Sequence, residues 1–315
     1  MNLTTLYTVI AALFVLLVCG YVMRKIHIID DTASKNLTRL VLKLAQPALI
    51  ISCLLSVEYS PEMMKQGAII FGFGMLIQAI LAVPAYFIGR AFKDVDEGKI
   101  IEFSLLFTNC GFIGLPVLEA IFGETGLFLG AIYQLTFYFS VWSWGTAIFA
   151  RKRSDIKLTV GKIFFNHGMI AAYLGIILFI VNIRFPIPAF FTKSLSYLSG
   201  ICTPVTLLIA GSLIAKLNLK KIFFSPKMYF QSAIKLFLIP LFVAVFTSLI
   251  GLDYQYIMFF TAVTALPSAS MVAMFAETYD TKQTFASLIV GVSTLFCVVS
   301  IPIVMNLAEL ITKFI

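Results

Sequence analysis

Charge is what this sequence has least of. Of its 315 residues only 12% are Asp, Glu, Lys or Arg, while 60% are hydrophobic and the mean hydropathy is +1.00. A soluble chain carries about twice that share of charge, about 25%, to cover its surface, so a soluble globule is excluded and a polytopic membrane protein is expected. Histidine is nearly absent. His27 and His167 both fall near the ends of apolar windows and read as interfacial groups. Cys19, Cys53, Cys110, Cys202 and Cys297 stand singly in apolar stretches, with no disulfide, redox or metal-ligand spacing, and read as small buried hydrophobes. Also missing are an HExxH, a GxSxG, a Walker loop and a pair of catalytic carboxylates. Asp30-Asp31 has no second acidic cluster with which to build a prenyl-transfer site. No enzyme, metal or cofactor is therefore expected. Basic residues are lacking ahead of the first apolar run, LYTVIAALFVLLVCGYVM, which predicts a retained span and no cleaved signal peptide.

What the chain does have is apolar windows of about 20 residues, the length that crosses a bilayer. They fall at 4–23, 37–57, 66–89, 100–122 and 127–150, then at 163–183, 194–215, 228–250, 254–276 and 284–311. This predicts an all-α fold of ten spans: a first set of five over 1–150, a linker loop at 151–162, and a second set over 163–315. Pro302 is expected to kink or shorten the last span. The net charge of +8 follows the same pattern. Loops after the odd-numbered spans, with Arg39 at the head of span 2, hold 17 Lys and Arg, and the even loops and C-terminal tail hold 4. Positive residues favour the cytoplasm. The odd loops are expected inside, both termini outside, and no nucleic-acid partner is needed to explain the charge.

The two halves echo each other. Gln46-Pro47 in span 2 corresponds to Thr203-Pro204 in span 7, and FGETG (122–126) after span 4 to FAETY (275–279) after span 9. Span 4 is interrupted by TNCGFIGLP (108–116) and span 9 by TALPSASMV (264–272). A repeat of five spans inserts with opposite orientation, so the plan is an inverted repeat, and paired interrupted helices point to a transport site near mid-membrane. Pro116 and Pro267 suit a first helical turn, which predicts that the second half of each broken span starts there with its N-terminus facing a shared centre. Such N-termini suit an anion, while the carbonyl ends of the preceding halves suit a cation. Neither break contains Asp or Glu, and no cationic side chain is expected beside them, so the balance favours an anion.

Asn109, Gly111, Gly114 and Pro116 spell N-x-G-x-x-G-x-P, and LPSAS occupies 266–270. Pro47, WSWG (142–145) and AETY (276–279) add weaker matches. In these residues, over nearly its whole length, the chain resembles the auxin efflux carrier family of membrane transporters. The resemblance implies a scaffold domain, and a transport domain whose two broken helices cross. It also implies substrates such as indole acetate, malate or malonate. Two features depart from the family: His167 stands where it usually has proline, and the long midpoint loop of plant members is reduced to about a dozen residues. The short midpoint loop fits a compact prokaryotic member.

The expected substrate-binding set is Asn109, Cys110, Gly111, Gly114, Pro116, Pro267, Ser268 and Ser270 at the breaks. Gln78 and Gln134 in mid-span and the pairs Gln46-Pro47 and Thr203-Pro204 complete it. Each polar member has a structural alternative: Asn109 and the serines can cap or bond their own helices, and the glutamines can join helices. Glu119, inside span 4, is the candidate for ion coupling, or else it snorkels outward. Lys43 and Lys235 snorkel to the headgroups or attract anions. Tyr7, Tyr133 and Tyr138 line a cavity or pack in the core. The resulting expectation is a secondary carrier of the cell membrane that moves small organic anions outward by alternating access. Coupling to sodium or protons and a homodimer are left open. A sodium-coupled symporter of the bile-acid type is the alternative, and a channel or sensor on the same scaffold a more distant one.

Overall fold

The computed structural model describes residues 3–151, 160–181, 186–216 and 226–314, and within them the regular structure is helical. In chain order the helices are α1 (Leu3–Lys25), α2 (Asp31–Leu54), α3 (Pro61–Arg90), α4 (Val95–Leu106) and α5 (Cys110–Ala150). After a single turn at Val160–Phe164 follow α6 (His167–Val181), α7 (Ala189–Lys216), α8 (Pro226–Leu249), α9 (Tyr254–Thr264), α10 (Met271–Thr278) and α11 (Gln283–Phe314). Among the described residues seven of these (α1, α2, α3, α5, α7, α8 and α11) are long and apolar enough to cross a membrane. The linker at 151–162 lies mostly outside the described residues.

Several helices begin before their apolar windows do, because polar side chains start them. Asp30 accepts from the Ala33 N–H at 2.6 Å, Ser60 from Met63 at 3.1 Å, and Asp94 from Asp96 and Glu97 at 3.0 and 3.2 Å. Each satisfies amides that have no carbonyl one turn back.

Proline shapes the interiors. A proline ring collides with the carbonyl four residues before it. Widened π-turns at Val41–Ala45, Cys110–Gly114 and Ile234–Leu238 run up to Gln46-Pro47, Leu115-Pro116 and Ile239-Pro240, where the extra residue relieves that collision. Helix α11 runs through Pro302, and the Asn306 amide donates to the Pro302 carbonyl at 2.9 Å.

At Gly123 the backbone takes φ 64° and ψ −148°, and α5 folds back on itself. A Cβ on Gly126 would lie 2.2 Å from the Leu118 carbonyl oxygen, and one on Gly130 would lie 2.7 Å from Leu115. Residues 110–122 and 124–150 are therefore the two arms of a hairpin with Gly123 at its tip.

Glycine also sets the closest helix pair. A Cβ on Gly20 of α1 would meet the Leu208 carbonyl oxygen of α7 at 2.2 Å, and one on Gly211 of α7 would meet that of Leu17 at 1.9 Å. Without hydrophobic driving force between helices in lipid, such backbone approach is what gains dispersion contact. Helix α6 packs similarly on α2, with Gly175 against Ile51 and Leu54. At one end of the bundle ion pairs tie the connecting segments together. Asp31 binds Arg24 and Lys216, Glu97 binds Lys227, Asp94 binds Lys282 at 2.8 Å, and Glu102 holds Arg151 with two bonds of 2.7 and 2.8 Å. The Lys282 ammonium holds the Asp94 carboxyl below the usual carboxylate range.

Gly211→Val forces α1 and α7 apart, and overpacking of this kind costs about 1–3 kcal/mol. A drop of several degrees in the melting temperature of the detergent-purified protein is expected. Gly200→Ala, where a Cβ meets nothing within 4 Å, is expected to leave it unchanged.

Candidate functional site

Helix α4 ends at Leu106 and α5 resumes at Cys110; α9 ends at Thr264 and α10 resumes at Met271. The two interruptions pass each other in antiparallel sense, bridged at Thr108 and Ser268. The Asn109 N–H donates to the Pro267 carbonyl at 2.8 Å, and the Ala269 N–H donates to the Phe107 carbonyl at 3.0 Å. Each break thus supplies hydrogen bonds that the other lost by leaving the helix. Thr108, Asn109, Cys110, Pro267 and Ser268 are all buried, so the crossing is closed to its surroundings.

One polar group forms around the end of α4 from α8 and α11. Gln231 donates to Ser104 Oγ at 3.1 Å and to Ser268 Oγ at 2.9 Å, and the Ser268 hydroxyl donates to the Ser104 carbonyl at 3.0 Å. The Ser268 N–H donates to Ser293 Oγ at 3.2 Å. Lys235 donates from Nζ to the Leu105 carbonyl at 3.0 Å. Side chains from elsewhere thereby satisfy two of the carbonyls that the C-terminus of α4 leaves open.

A second group lies along α2, α3 and α5. Asn109 Oδ1 accepts from the Phe112 N–H at 3.4 Å and caps the new helix, whose first amides, Cys110 and Gly111, have no carbonyl one turn back within it. A Cβ on Gly111 would sit 3.2 Å from Gln134 Oε1 and 3.4 Å from Gln46 Nε2, so both carboxamides lie against this turn. Gln46 donates to the Tyr138 hydroxyl, and Gln78 donates to that of Tyr133 at 3.4 Å. Gln134 Nε2 and Gln78 Oε1 are buried with no protein partner. Helix α7, which carries the half-buried Thr203 and Pro204, packs on the Cys110–Gly114 turn. Gly114 packs on Leu266 of the other break. This arrangement presents amide N–H groups and carboxamides to a hydrogen-bond acceptor such as a carboxylate. Among the described residues no group of three His, Cys, Asp or Glu could hold a metal ion.

Two sequence expectations are corrected. The second halves do not start at the prolines: because Asn109 caps it, α5 begins at Cys110 and places Pro116 two turns in. Pro267 lies in the extended crossing segment, four residues before α10. The crossing does have a cationic neighbour, since Lys235 faces α4 and is 0% exposed, while Lys43 is exposed as snorkelling requires. Glu119, read as a candidate for ion coupling or as a side chain that snorkels outward, is exposed, which fits the second reading. Pro47 and Ser270 are half-buried at the margins. Gln231, Ser104 and Ser293 were not anticipated; the available signal was a second polar residue four positions before Lys235 in an otherwise apolar window. A separate cavity of about 330 Å³, lined by Trp142, His167, Phe275 and Tyr279 among others, lies between α5, α6 and α10.

Long apolar helices with two interrupted ones meeting in a buried polar crossing have the build of a membrane transporter. The chain belongs to the membrane transport protein family, the auxin efflux carrier-like group, whose model matches residues 5–161 and again 153–305. It is similar to an uncharacterized transporter of Methanocaldococcus jannaschii, 31% identical over 212 residues, covering 64% of this chain and 67% of that one. A second uncharacterized transporter, from Methanothermobacter thermautotrophicus, is 24% identical over 300 residues, covering 93% and 95%.

Gln231→Leu leaves the Ser104 and Ser268 hydroxyls without their amide donor, a loss of about 1–3 kcal/mol for buried partners. The expected outcome is a melting temperature several degrees lower, with Lys43→Ala unchanged as the exposed control.

Proposed function

We propose that this transporter is a secondary carrier of small organic anions that works by alternating access, with substrate held at the crossing of the two interrupted helices. The observation that carries the reading is the Cys110–Gly114 turn, where the start of a helix, the Asn109 amide and the carboxamides of Gln46 and Gln134 converge in a closed setting that contains no carboxylate. Helix N-termini bind anions through free N–H groups and partial positive charge. A carboxylate fits this donor set, with the amides of Gln134 and Asn109 as its side-chain donors.

The proposal includes ten spans in two inverted repeats, 1–150 and 163–315, joined by 151–162. The packing supports it: α1 against α7 answers α6 against α2, and α3 against α4 answers α8 against α9, each pair exchanging places between the halves. The two successive matches to the family model agree with it. In this reading α1, α2, α6 and α7 form the scaffold, and the remaining helices carry the crossing. The connecting segments joined by ion pairs are those with the basic excess, which supports placing them in the cytoplasm and both termini outside. The direction of movement is outward, and the membrane is the cell membrane.

The deciding experiment is uptake of labelled indole-3-acetate, malate and malonate into proteoliposomes, with and without sodium and proton gradients. Uptake of at least one of them is expected. Asn109→Ser keeps an acceptor for the Phe112 N–H and removes the amide donor. It is expected to weaken apparent affinity about tenfold, the equivalent of one hydrogen bond of about 1.4 kcal/mol to a charged group. Unchanged affinity in this variant places the anion elsewhere.

Access can be tested separately. Cys110 is buried in the closed crossing and Cys19 is exposed on the outside of α1. A small water-soluble thiol reagent is expected to modify Cys110 at a rate set by opening of the crossing, and the transported anion to slow it. Complete inertness of Cys110 under turnover would show that the crossing never opens to water.

A further inference from the structure

The last carbonyls of a helix carry negative partial charge and lack intrahelical partners, so a helix C-terminus that ends inside a membrane protein calls for a cation. At the end of α4 that cation is a side chain. Lys235 is fully buried, and its ammonium donates to the Leu105 carbonyl at 3.0 Å. Among the described residues no carboxylate forms an ion pair with it. A lysine near the middle of an apolar helix ordinarily carries its charge to the surface along a flexible stem. This one points inward, from the π-turn Ile234–Leu238 that precedes Pro240.

Its surroundings are built from neutral oxygens. Gln231, one turn earlier on α8, reaches Ser104 and Ser268, and Ser268 closes on the Ser104 carbonyl. Gln231 and Lys235 therefore converge on one patch made of consecutive α4 residues and the crossing segment of the other repeat. Backbone carbonyls, hydroxyls and a carboxamide are the ligand types of a hard cation. An ammonium is likewise monovalent, with three donors for such oxygens, of which one is bonded here.

We propose that Lys235 is a built-in cation occupying a sodium-type site at the end of α4, so that the crossing closes and the carrier works without a bound alkali ion. The site would otherwise take a monovalent cation, coordinated by the Leu105 carbonyl together with the hydroxyls of Ser104 and Ser268 and the Gln231 carboxamide. The consequence for transport rests on the carrier reading above; the site itself does not.

The test is the melting temperature of the full-length protein in detergent, in choline chloride against sodium chloride. Wild type is expected to melt at the same temperature in both. Lys235→Ala opens the site, and is expected to melt several degrees lower in choline and to recover, with a saturable dose dependence, in sodium or methylammonium chloride. Lys235→Met fills the volume without charge and is expected to show no recovery. Wild type stabilised by sodium as strongly as Lys235→Ala overturns the proposal, as does a folded Lys235→Ala indifferent to both cations. If Lys235→Ala cannot be isolated in choline, its recovery as a single species from sodium or methylammonium supports the proposal. Failure there, with Lys235→Met normal, overturns it. In proteoliposomes wild-type uptake is expected to be sodium-independent, and uptake that vanishes without sodium counts against a built-in cation. Absence of uptake for every anion tried counts against the carrier reading alone, and the melting data still decide the role of Lys235.

Discussion

Inside a bilayer each backbone amide and carbonyl must find its partner within the protein, because no water is there to accept it. This constraint is hardest to meet where a helix stops inside the protein, and here two helices stop at the same place. The solution is mutual. Asn109 donates to Pro267 and Ala269 to Phe107 through the backbone across the crossing, while Ser268 and Lys235 satisfy carbonyls at the end of α4 and Gln231 holds the Ser104 and Ser268 hydroxyls. Each interruption supplies partners to the other, which ties the two halves of the chain together at their centre.

The remaining architecture serves that centre. Glycine at 20 and 211 lets α1 and α7 meet backbone to backbone, and Gly111 leaves room for two carboxamides beside the start of α5. The π-turns before Pro47, Pro116 and Pro240 are a second device. Each absorbs a proline without ending its helix and shifts the residues before it around the axis. One such turn contains Lys43, which reaches the exterior, and another contains Lys235, which is buried at the crossing. The same local geometry therefore gives opposite outcomes, and the difference comes from what each helix packs against.

That difference marks the limit of what the sequence discloses. The breaks were legible because Asn109 and the LPSAS stretch disfavour the continuation of a helix, and the seven helices long and apolar enough to cross a membrane were legible because span length is set by the bilayer. The family followed from the same residues. Lys235 was not legible, since burial of one side chain in an apolar window depends on which face of α8 meets α4, a property of the assembled bundle. The choice between the two readings of Glu119 was open for the same reason, and its exposure fits the outward one. The helix starts were misplaced because Asp30, Ser60 and Asp94 are polar caps that a hydropathy window passes over, and the new start at Cys110 depends on a side chain, Asn109, acting as cap in place of a proline.

The hairpin tip at Gly123 has a mechanical consequence. A single residue with positive φ joins the arm that begins at the crossing to the arm that ends near Arg151, and Arg151 grips Glu102 on α4 with two bonds. Covalent chain and ion pair together close a ring: from Glu102 through the end of α4, across the break, out to Gly123 and back to Arg151. Closing the ring lowers the conformational entropy the broken helix would gain by unwinding, so the ion pair at Arg151 holds a segment it does not touch.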